Sequence, residues 1–357
     1  MPTPQRDLEE TGRALLEWFA TRLPDAEDIR MSELTGPSNT GFSNDTLLFD
    51  LEWQEAGTPR REGLVVRIEP TGFQIFPQYD VGRQLRVMQL LAGTEVPVPR
   101  MFWLEEETTI LGAPFFVMER IEGRIPSDNP PYHIGGWITE ISPSDRATLW
   151  WDGLETLTRI HRLDWRKAGL DFLEEPGLTG SPTEHQLRSY RRFLTWAARG
   201  RPQPTTEAAL EWLEKHCPQH ESVALSWGDS RLGNMIFREG RCVAVLDWEM
   251  VALGNPEMDL GWWLFLDDHH SKGCSAPRLD GFPSHEESVA TYEARTGLTV
   301  RHLEYFKVFA AFRFSVIMIR VGQQLVEVGL LPSDSHFETD NTVTRMLASM
   351  LDLPPPA

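Results

Sequence analysis

The sequence predicts an α+β chain of two lobes, a small β-rich N-terminal lobe over residues 1–123 and a larger, mostly helical lobe over residues 124–357. Three observations predict it. A chain of 357 residues at 41% hydrophobic exceeds the roughly 250–300 residues at which one core divides. Up to Gly123 most apolar residues come in short β-rich runs closed by Gly or Pro. Beyond it they come in long stretches with helical spacing.

Leu8, Leu15, Leu16, Phe19 and Leu23 fall on one helical face, so an amphipathic helix opens the chain and ends at Pro24. "MSELTGPSNTGFSNDTLLFDLEW" then reads as strand, turn-rich loop and strand. "GLVVRIEP" is a β-rich run between Gly63 and Pro70, "QYDVGRQLRVMQLLAG" has helical spacing, and "APFFVMERIEG" is another apolar strand. After Gly123, "DRATLWWDGLETLTRIHRL", "EAALEWLEKHC" and "LEYFKVFAAFRFSVIMIRVGQQLVEVG" are helical, and Leu225 to Glu249 inserts a hairpin. In that insert "GNMIF" and "CVAVLDW" are strands joined by the turn "REGR". Asn255 followed by Pro256 is a good N-cap with Pro at N1, which predicts a helix start. Large aromatics of this lobe, including Trp150, Trp151, Trp196, Trp212, Trp262 and Trp263, are mostly packing residues, with one or two available to line an acceptor pocket.

The net charge of −19 disfavours nucleic acid and anionic membranes, which need a basic face. A small-molecule or cationic partner fits better. Cys217, Cys242 and Cys274 form no CxxC and are odd in number, so neither a disulfide framework nor a zinc site is indicated. The N-terminus lacks an export-type apolar region, and the most apolar late segment is broken by Lys307, Arg313 and Arg320. The expectation is a cytoplasmic protein without a membrane span. There is no internal repeat, and the acceptor's identity and the oligomeric state stay open.

The chemistry gathers in "LSWGDSRLGNMIFREGRCVAVLDWE". Asp229 and Asn234 have the D-x-x-x-x-N spacing of a kinase catalytic loop, where the Asp orients or deprotonates an acceptor hydroxyl and the Asn ligates magnesium. Asp247 follows in the second magnesium-ligand position, at the end of the next strand. Hard oxygen donors suit magnesium, which bridges nucleotide phosphates. A plain hairpin with Asp and Asn as turn formers is the competing reading of the spacing alone.

"WGDSRLGNMIF" followed by "VLDWEMVALGNPEMDLGW" closely resembles the paired motifs of the aminoglycoside phosphotransferase and choline kinase-like superfamily. "FFVMERIEGR" and "VPVPRMFWLE" look most like its branch related to the kinase-like domains fused to acyl-CoA dehydrogenases. The resemblance runs from about Ser32 to about Arg320. It implies a two-lobe protein-kinase-like fold and ATP-dependent transfer to a small-molecule hydroxyl. By the match, Asp229 is the catalytic base, Asn234 and Asp247 are the Mg2+ ligands, and Asp259 braces the catalytic-loop backbone. Favourable charge at a helix N-terminus is the plainer role for Asp259. Trp227 stands where the family usually has His, in a supporting role, and Asn255 where it usually has Asp.

On the nucleotide side, Gly41, Ser43 and Asn44 lie in a Gly/Ser/Asn cluster between two strands, fit to cradle phosphate or to make an ordinary hairpin. Arg67 is the cation available on the following strand, and this branch commonly carries Arg there. The helix from Tyr79 to Leu91 should supply its partner, but Gln84 occupies the usual Glu position, leaving a neutral hydrogen bond or Asp80. "VMERIEG" resembles the adenine hinge, with the Glu119 carbonyl and the Ile121 amide meeting the adenine edge.

The short run from Asp247 to Asn255 leaves no room for an activation loop, so a protein substrate is disfavoured. Asp267 and Asp268 can offer charge to a cationic acceptor or form a solvated helix end, while adjacent His269 and His270 make a poor metal site. His161 matches a family position and reads as a buried, satisfied histidine. The leading expectation is an ATP- and magnesium-dependent kinase of a small-molecule hydroxyl, with an aminoglycoside among the acceptors. The alternatives are a kinase of another alcohol or a hydroxyacyl compound, and a non-catalytic nucleotide-binding module suggested by Trp227 and Gln84.

Overall fold

The computed structural model of the chain describes residues 6–36, 45–174, 179–219 and 222–356. Helix α1 (Leu8–Arg22) starts where the Asp7 carboxylate accepts the Glu9 and Glu10 amides. It buries Leu15, Trp18 and Phe19, whereas Leu8 stays exposed. Strands β1 (Ala26–Met31), β2 (Asp45–Glu55) and β3 (Thr58–Ile68) follow, then α2 (Val81–Leu91), β4 (Met101–Glu105), the single turn α3 (Thr108–Leu111) and β5 (Phe115–Glu119). The five strands form one antiparallel sheet in the order β1-β2-β3-β5-β4. Ala56 and Gly57, both at positive φ, make the two-residue turn that matches the twist of β2 and β3.

Strand alternation decides what this sheet shows to each side. Leu64, Val66 and Ile68 of β3 pack in the same cluster as α1. Val65, between them, joins the cluster shared with the helical lobe, and the period of two sends Arg67 the same way. β5 repeats the pattern, with Phe115 and Val117 on one face and Phe116 and Met118 on the other.

The helical lobe runs through α4 (Pro143–Arg162), α5 (Pro182–Ala198), α6 (Pro204–Lys215), β6 (Ala224–Ser226), β7 (Met235–Arg238), β8 (Arg241–Val245), β9 (Ala252–Gly254), α7 (Glu257–His270), α8 (His285–Thr296), α9 (Leu303–Glu327) and α10 (Thr342–Met350). Ser142, Ser181 and Ser284 cap α4, α5 and α8, and Pro opens α4 and α5 as helix-start chemistry requires. α9 is the lobe's central helix and packs on α5, α6, α7 and α10. Trp150, Trp262 and Trp263 are buried, whereas Trp151, Trp196 and Trp212 are partly buried. No helix among the described residues is long and apolar enough to cross a membrane.

The chain passes from sheet to helical lobe beside the β7–β8 hairpin, where Arg124 and Phe237 exchange backbone hydrogen bonds of 2.8 Å. A Cβ at Gly123 would lie 2.4 Å from Ile236 Cγ2, so only glycine permits this approach.

Candidate active site

β6 pairs with β9, and the turn that leaves β6 carries Trp227, Gly228 and Asp229. Gly228 has φ +94°, and a Cβ there would meet the Met250 carbonyl oxygen at 2.3 Å. Glycine is therefore obligatory for two independent reasons. One carboxylate from the first turn of α7 holds this turn. Asp259 accepts the Trp227 amide at 2.7 Å, the Gly228 amide at 2.9 Å, the Ser226 hydroxyl at 2.9 Å and His161 Nε2 at 3.1 Å. The Ser230 hydroxyl donates to the Asp259 carbonyl at 2.8 Å. Burial alone would raise the Asp259 pKa; the His161, Gly228 and Ser226 bonds outweigh it and hold the carboxyl below its ordinary value. On its other side His161 Nδ1 lies 2.6 Å from the Tyr292 hydroxyl. His161 is thus buried and satisfied.

Trp227 is wholly buried, and its indole N–H donates to the Leu246 carbonyl at 2.8 Å, tying the turn to the end of β8. Asp229 follows. Its Oδ1 accepts Trp262 Nε1 at 2.8 Å, its Oδ2 accepts Asn234 Nδ2 at 2.6 Å, and Arg231 Nε lies 3.0 Å from both oxygens. Arg231 reaches on through Nη1 to Asp128. Burial works against the Arg231 charge, but Asp128 and Asp229 outweigh it and raise its pKa. Burial likewise opposes ionised Asp128, and Arg231 and His270 hold its pKa below the ordinary value.

The β7–β8 hairpin brings the third acidic or amide group near. Its turn uses Glu239 and Gly240 at positive φ, and the Leu246 amide donates to the Asn234 carbonyl at 2.9 Å. Asp247 therefore sits one residue past the backbone partner of Asn234. It lies beyond the end of β8 and adopts φ +60°, an uncommon conformation for a residue with a Cβ. Arg67 Nη2 meets Asp247 Oδ1 at 2.6 Å and lies 3.7 Å from Glu249 Oε2. Burial opposes the Arg67 charge, and Asp247 and Glu249 overcome it, so its pKa is raised.

The expected source of the Arg67 partner is corrected here. Asp80 caps α2 by accepting the Arg83 amide at 2.7 Å, and Gln84 is buried. The acids come instead from the segment after β8, because β3 alternation turns Arg67 away from α1 and toward the helical lobe. At the hinge, the Glu119 amide donates to the Arg100 carbonyl at 2.8 Å, and among the described residues the Ile121 amide makes no backbone hydrogen bond. Gly41, Ser43 and Asn44 lie outside the described residues.

The expectation for Asp267 and Asp268 also needs correction. Neither is a solvated helix end, and neither offers a free carboxylate. Asp267 is 1% exposed and accepts Tyr132 Oη at 2.9 Å, His133 Nε2 at 2.9 Å, Arg278 Nε at 2.6 Å and His285 Nε2 at 3.3 Å. The Leu279 amide donates to His133 Nδ1, which places the ring proton on Nε2, toward Asp267. Burial pushes the Asp267 pKa up, but the His133 and His285 bonds and the Arg278 charge bring it well below the usual range. Asp268 is buried and lies 3.0 Å from Lys272 Nζ. Among the described residues no cluster of three or more His, Cys, Asp or Glu forms a metal cage, at His269 and His270 or elsewhere.

Sequence reasoning overlooked Arg231, Asp128 and Glu249. Arg231 lies inside the D-x-x-x-x-N span and was open to notice as the only cation there. Asp128 carried no local signal, since a segment far away in sequence brings it to Arg231. Trp262 was grouped with the packing aromatics, and its buried indole N–H, which needs an acceptor, is what sets it apart.

A two-lobe kinase-like fold with Asp229, Asn234 and Asp247 on a braced loop and hairpin defines a phosphotransferase class of protein. The model of the phosphotransferase enzyme family matches residues 37–292, and the chain belongs to that family. It is 29% identical over 268 residues to mouse acyl-CoA dehydrogenase family member 10, an alignment covering 71% of this chain and 24% of that protein. The chain thus spans about a quarter of that relative's length. A Ralstonia eutropha protein described provisionally as an aminoglycoside phosphotransferase superposes with a TM-score of 0.68 at 26% identity, covering 95% of this chain and 96% of that one. A ternary complex of streptomycin, ATP and APH(2'')-IIa shares the fold, with a TM-score of 0.53 at 16% identity over 92% of this chain and 97% of that one.

Proposed function

We propose that this protein transfers the γ-phosphoryl group of ATP to a hydroxyl of a small molecule, with Asp229 as the base that orients and deprotonates that hydroxyl. The observation that carries the reading is the Asp229 carboxylate, aimed by Trp262, Asn234 and Arg231, beside an Asp247 matched to the buried cation Arg67. A proton acceptor held by several fixed donors suits in-line attack on phosphorus. Arg67 beside Asp247 and Arg231 beside Asp229 supply positive charge and offset charge on the transferred group. The adenine edge is read by the Glu119 carbonyl and the Ile121 amide, and Gly41, Ser43 and Asn44 cradle the phosphates. Asp259 and Trp227 support the loop, and the lobe boundary falls at Gly123.

The donor set fits magnesium. Asn234 turns Nδ2 toward Asp229, which leaves its carboxamide oxygen as a hard ligand. Asp247 engages Arg67 through Oδ1 and keeps Oδ2 in reserve. Magnesium takes one or two protein oxygens and completes its shell with phosphates and water. When bound, it neutralises phosphate charge. Arg67 must then share or leave Asp247.

A small-molecule acceptor without several ammonium groups is favoured over an aminoglycoside, because Asp267 and Asp268 are engaged internally. The likeness to part of an acyl-CoA dehydrogenase family member is what supports keeping hydroxyacyl compounds among the alternatives. Work on ATP fits a cytoplasmic location. A non-catalytic module is disfavoured: Trp227 gives its amide to Asp259 and its indole N–H to Leu246, and Glu249 and Asp247 replace the missing acid at Gln84. The deciding experiment is ADP release across an acceptor panel, with and without magnesium, for the native chain and Asp229→Asn. Loss of turnover by about 100-fold or more in the variant, with ATP binding kept, is expected. Equal metal-dependent turnover in both sinks the assignment of Asp229.

A further inference from the structure

α7 supplies two of the groups that hold the Gly228–Asp229 turn, and α9 supplies another. Arg313 is 2% exposed, and its Nη2 donates to the Gly228 carbonyl at 3.0 Å. Among the described residues no carboxylate pairs with it, and its Nε and Nη1 have no hydrogen-bond partner. Its guanidinium lies 4.6 Å from the Trp262 ring centroid, 5.2 Å from that of Tyr190 and 5.7 Å from that of Phe309. A buried cation without a counter-charge is costly, and ring faces offset only part of that cost. Its position accounts for why it is there.

The Gly228 residue is clamped from both ends. Asp259 takes its N–H at 2.9 Å, and Arg313 takes its C=O. The peptide planes before and after Gly228 are therefore both fixed, at a φ that only glycine adopts readily. The second of these planes contains the Asp229 nitrogen. Arg313 also lies against Trp262, whose indole N–H donates to Asp229 Oδ1 at 2.8 Å. One guanidinium thus acts on Asp229 through the backbone and through a side chain. We infer that Arg313 is a positioning residue that sets the direction of the Asp229 carboxylate. The inference rests on the reading of Asp229 as the base.

The test compares the full-length chain with Arg313→Met, Arg313→Lys and Asp229→Asn. The readouts are ADP release at saturating magnesium and ATP, ATP affinity, and deuterium uptake in the peptide covering residues 226–231. Acceptors are those that turn over in the panel, or water when none does. Arg313→Met is expected to lower kcat about 30-fold, as misplacement of a reacting group does. ATP affinity stays within about twofold, and uptake at residues 226–231 rises. Arg313→Lys keeps a donor for the Gly228 carbonyl and recovers most of the turnover. A kcat within threefold of native together with native uptake in Arg313→Met overturns the inference. Should Arg313→Met fail to fold, Arg313→Gln carries the test, with kcat about 10-fold lower at unchanged KM for ATP expected and unchanged kcat overturning it. Asp229→Asn separates the two ideas: native turnover there sinks the base assignment, whereas an inactive Asp229→Asn beside a fully active Arg313→Met sinks only the role of Arg313. If the native chain releases no ADP, the uptake decides, and native uptake in Arg313→Met overturns the proposal.

Discussion

Asp259 and Asp267 lie on the same helix, α7, and both are buried and hydrogen-bonded on every side. Each holds a histidine, and each has its pKa depressed against the effect of burial. They differ in what they hold. Asp259 takes two backbone amides of the turn that carries Asp229. Asp267 takes only side chains, from Tyr132, His133, Arg278 and His285. A carboxylate that gathers backbone amides dictates the path of a loop. Asp267, with four side-chain donors and no exposed side-chain surface, pins the segments that bear those donors. Satisfaction of a buried charge is common to both, so it does not by itself mark a functional residue.

Asp259→Ala gives the largest expected effect. It strands the Trp227 and Gly228 amides and His161, so stability should fall by about 3–5 kcal/mol and turnover of the folded fraction by about 100-fold or more. Denaturant unfolding and ADP release measure the two, and native turnover at reduced stability would erase the contrast with Asp267. Asp267→Ala should also cost about 3 kcal/mol, because the partly buried Arg278 loses its carboxylate and Tyr132 and His133 lose their acceptor. Here, however, turnover below the melting temperature should stay within about threefold. A raised acceptor KM with unchanged melting would instead make Asp267 a substrate ligand.

Trp227→His alters a support of the same turn without touching the Asp259 bond to its amide. Activity should stay within about an order of magnitude. A gain of several hundredfold would favour the non-catalytic reading. A pH dependence is also expected at the far end of α7. Burial pushes His269 down to about 3 and His270 down to about 4. The unfolded chain takes up these protons near pH 6.5, so the folded state refuses protons that the unfolded state accepts. Stability from both is complete above about pH 6.5 and declines as pH falls toward 4 and below. The depressed Asp259 and Asp267 extend the loss below about pH 4. Melting temperatures from pH 7 to 4 should fall, and His270→Gln should flatten the slope. An unchanged slope would show that His270 is not the group responsible.

Local pattern made much of the architecture legible. The β-rich run of β3, the long helical spacing in α4, α6 and α9 and the turn between β7 and β8 express steric and hydrogen-bonding rules that act over a few residues. The opening helix was legible with its buried face shifted, since Trp18 is buried and Leu8 is exposed. Its indole N–H donates to Glu105 at 2.7 Å, a partner no periodicity within α1 can reveal. At the site, the spacing of Asp229, Asn234 and Asp247 was visible because one loop and one hairpin carry all three. The Arg67 partners, the saturation of Asp267 and the Arg231–Asp128 pair were not, because each joins segments far apart in the chain.

By itself the sequence determined the α+β class, the helical character of the second lobe with its hairpin insert, and the acidic and amide trio. These depend on short-range geometry, which neighbouring residues specify. Only the tertiary structure decided which charges stay available. The Asp267 side chain is wholly enclosed while those of Asp229 and Asp247 keep some exposed surface, and Arg313 is drawn under Trp262. Burial and pairing set that outcome, and both depend on what distant segments bring to the same place.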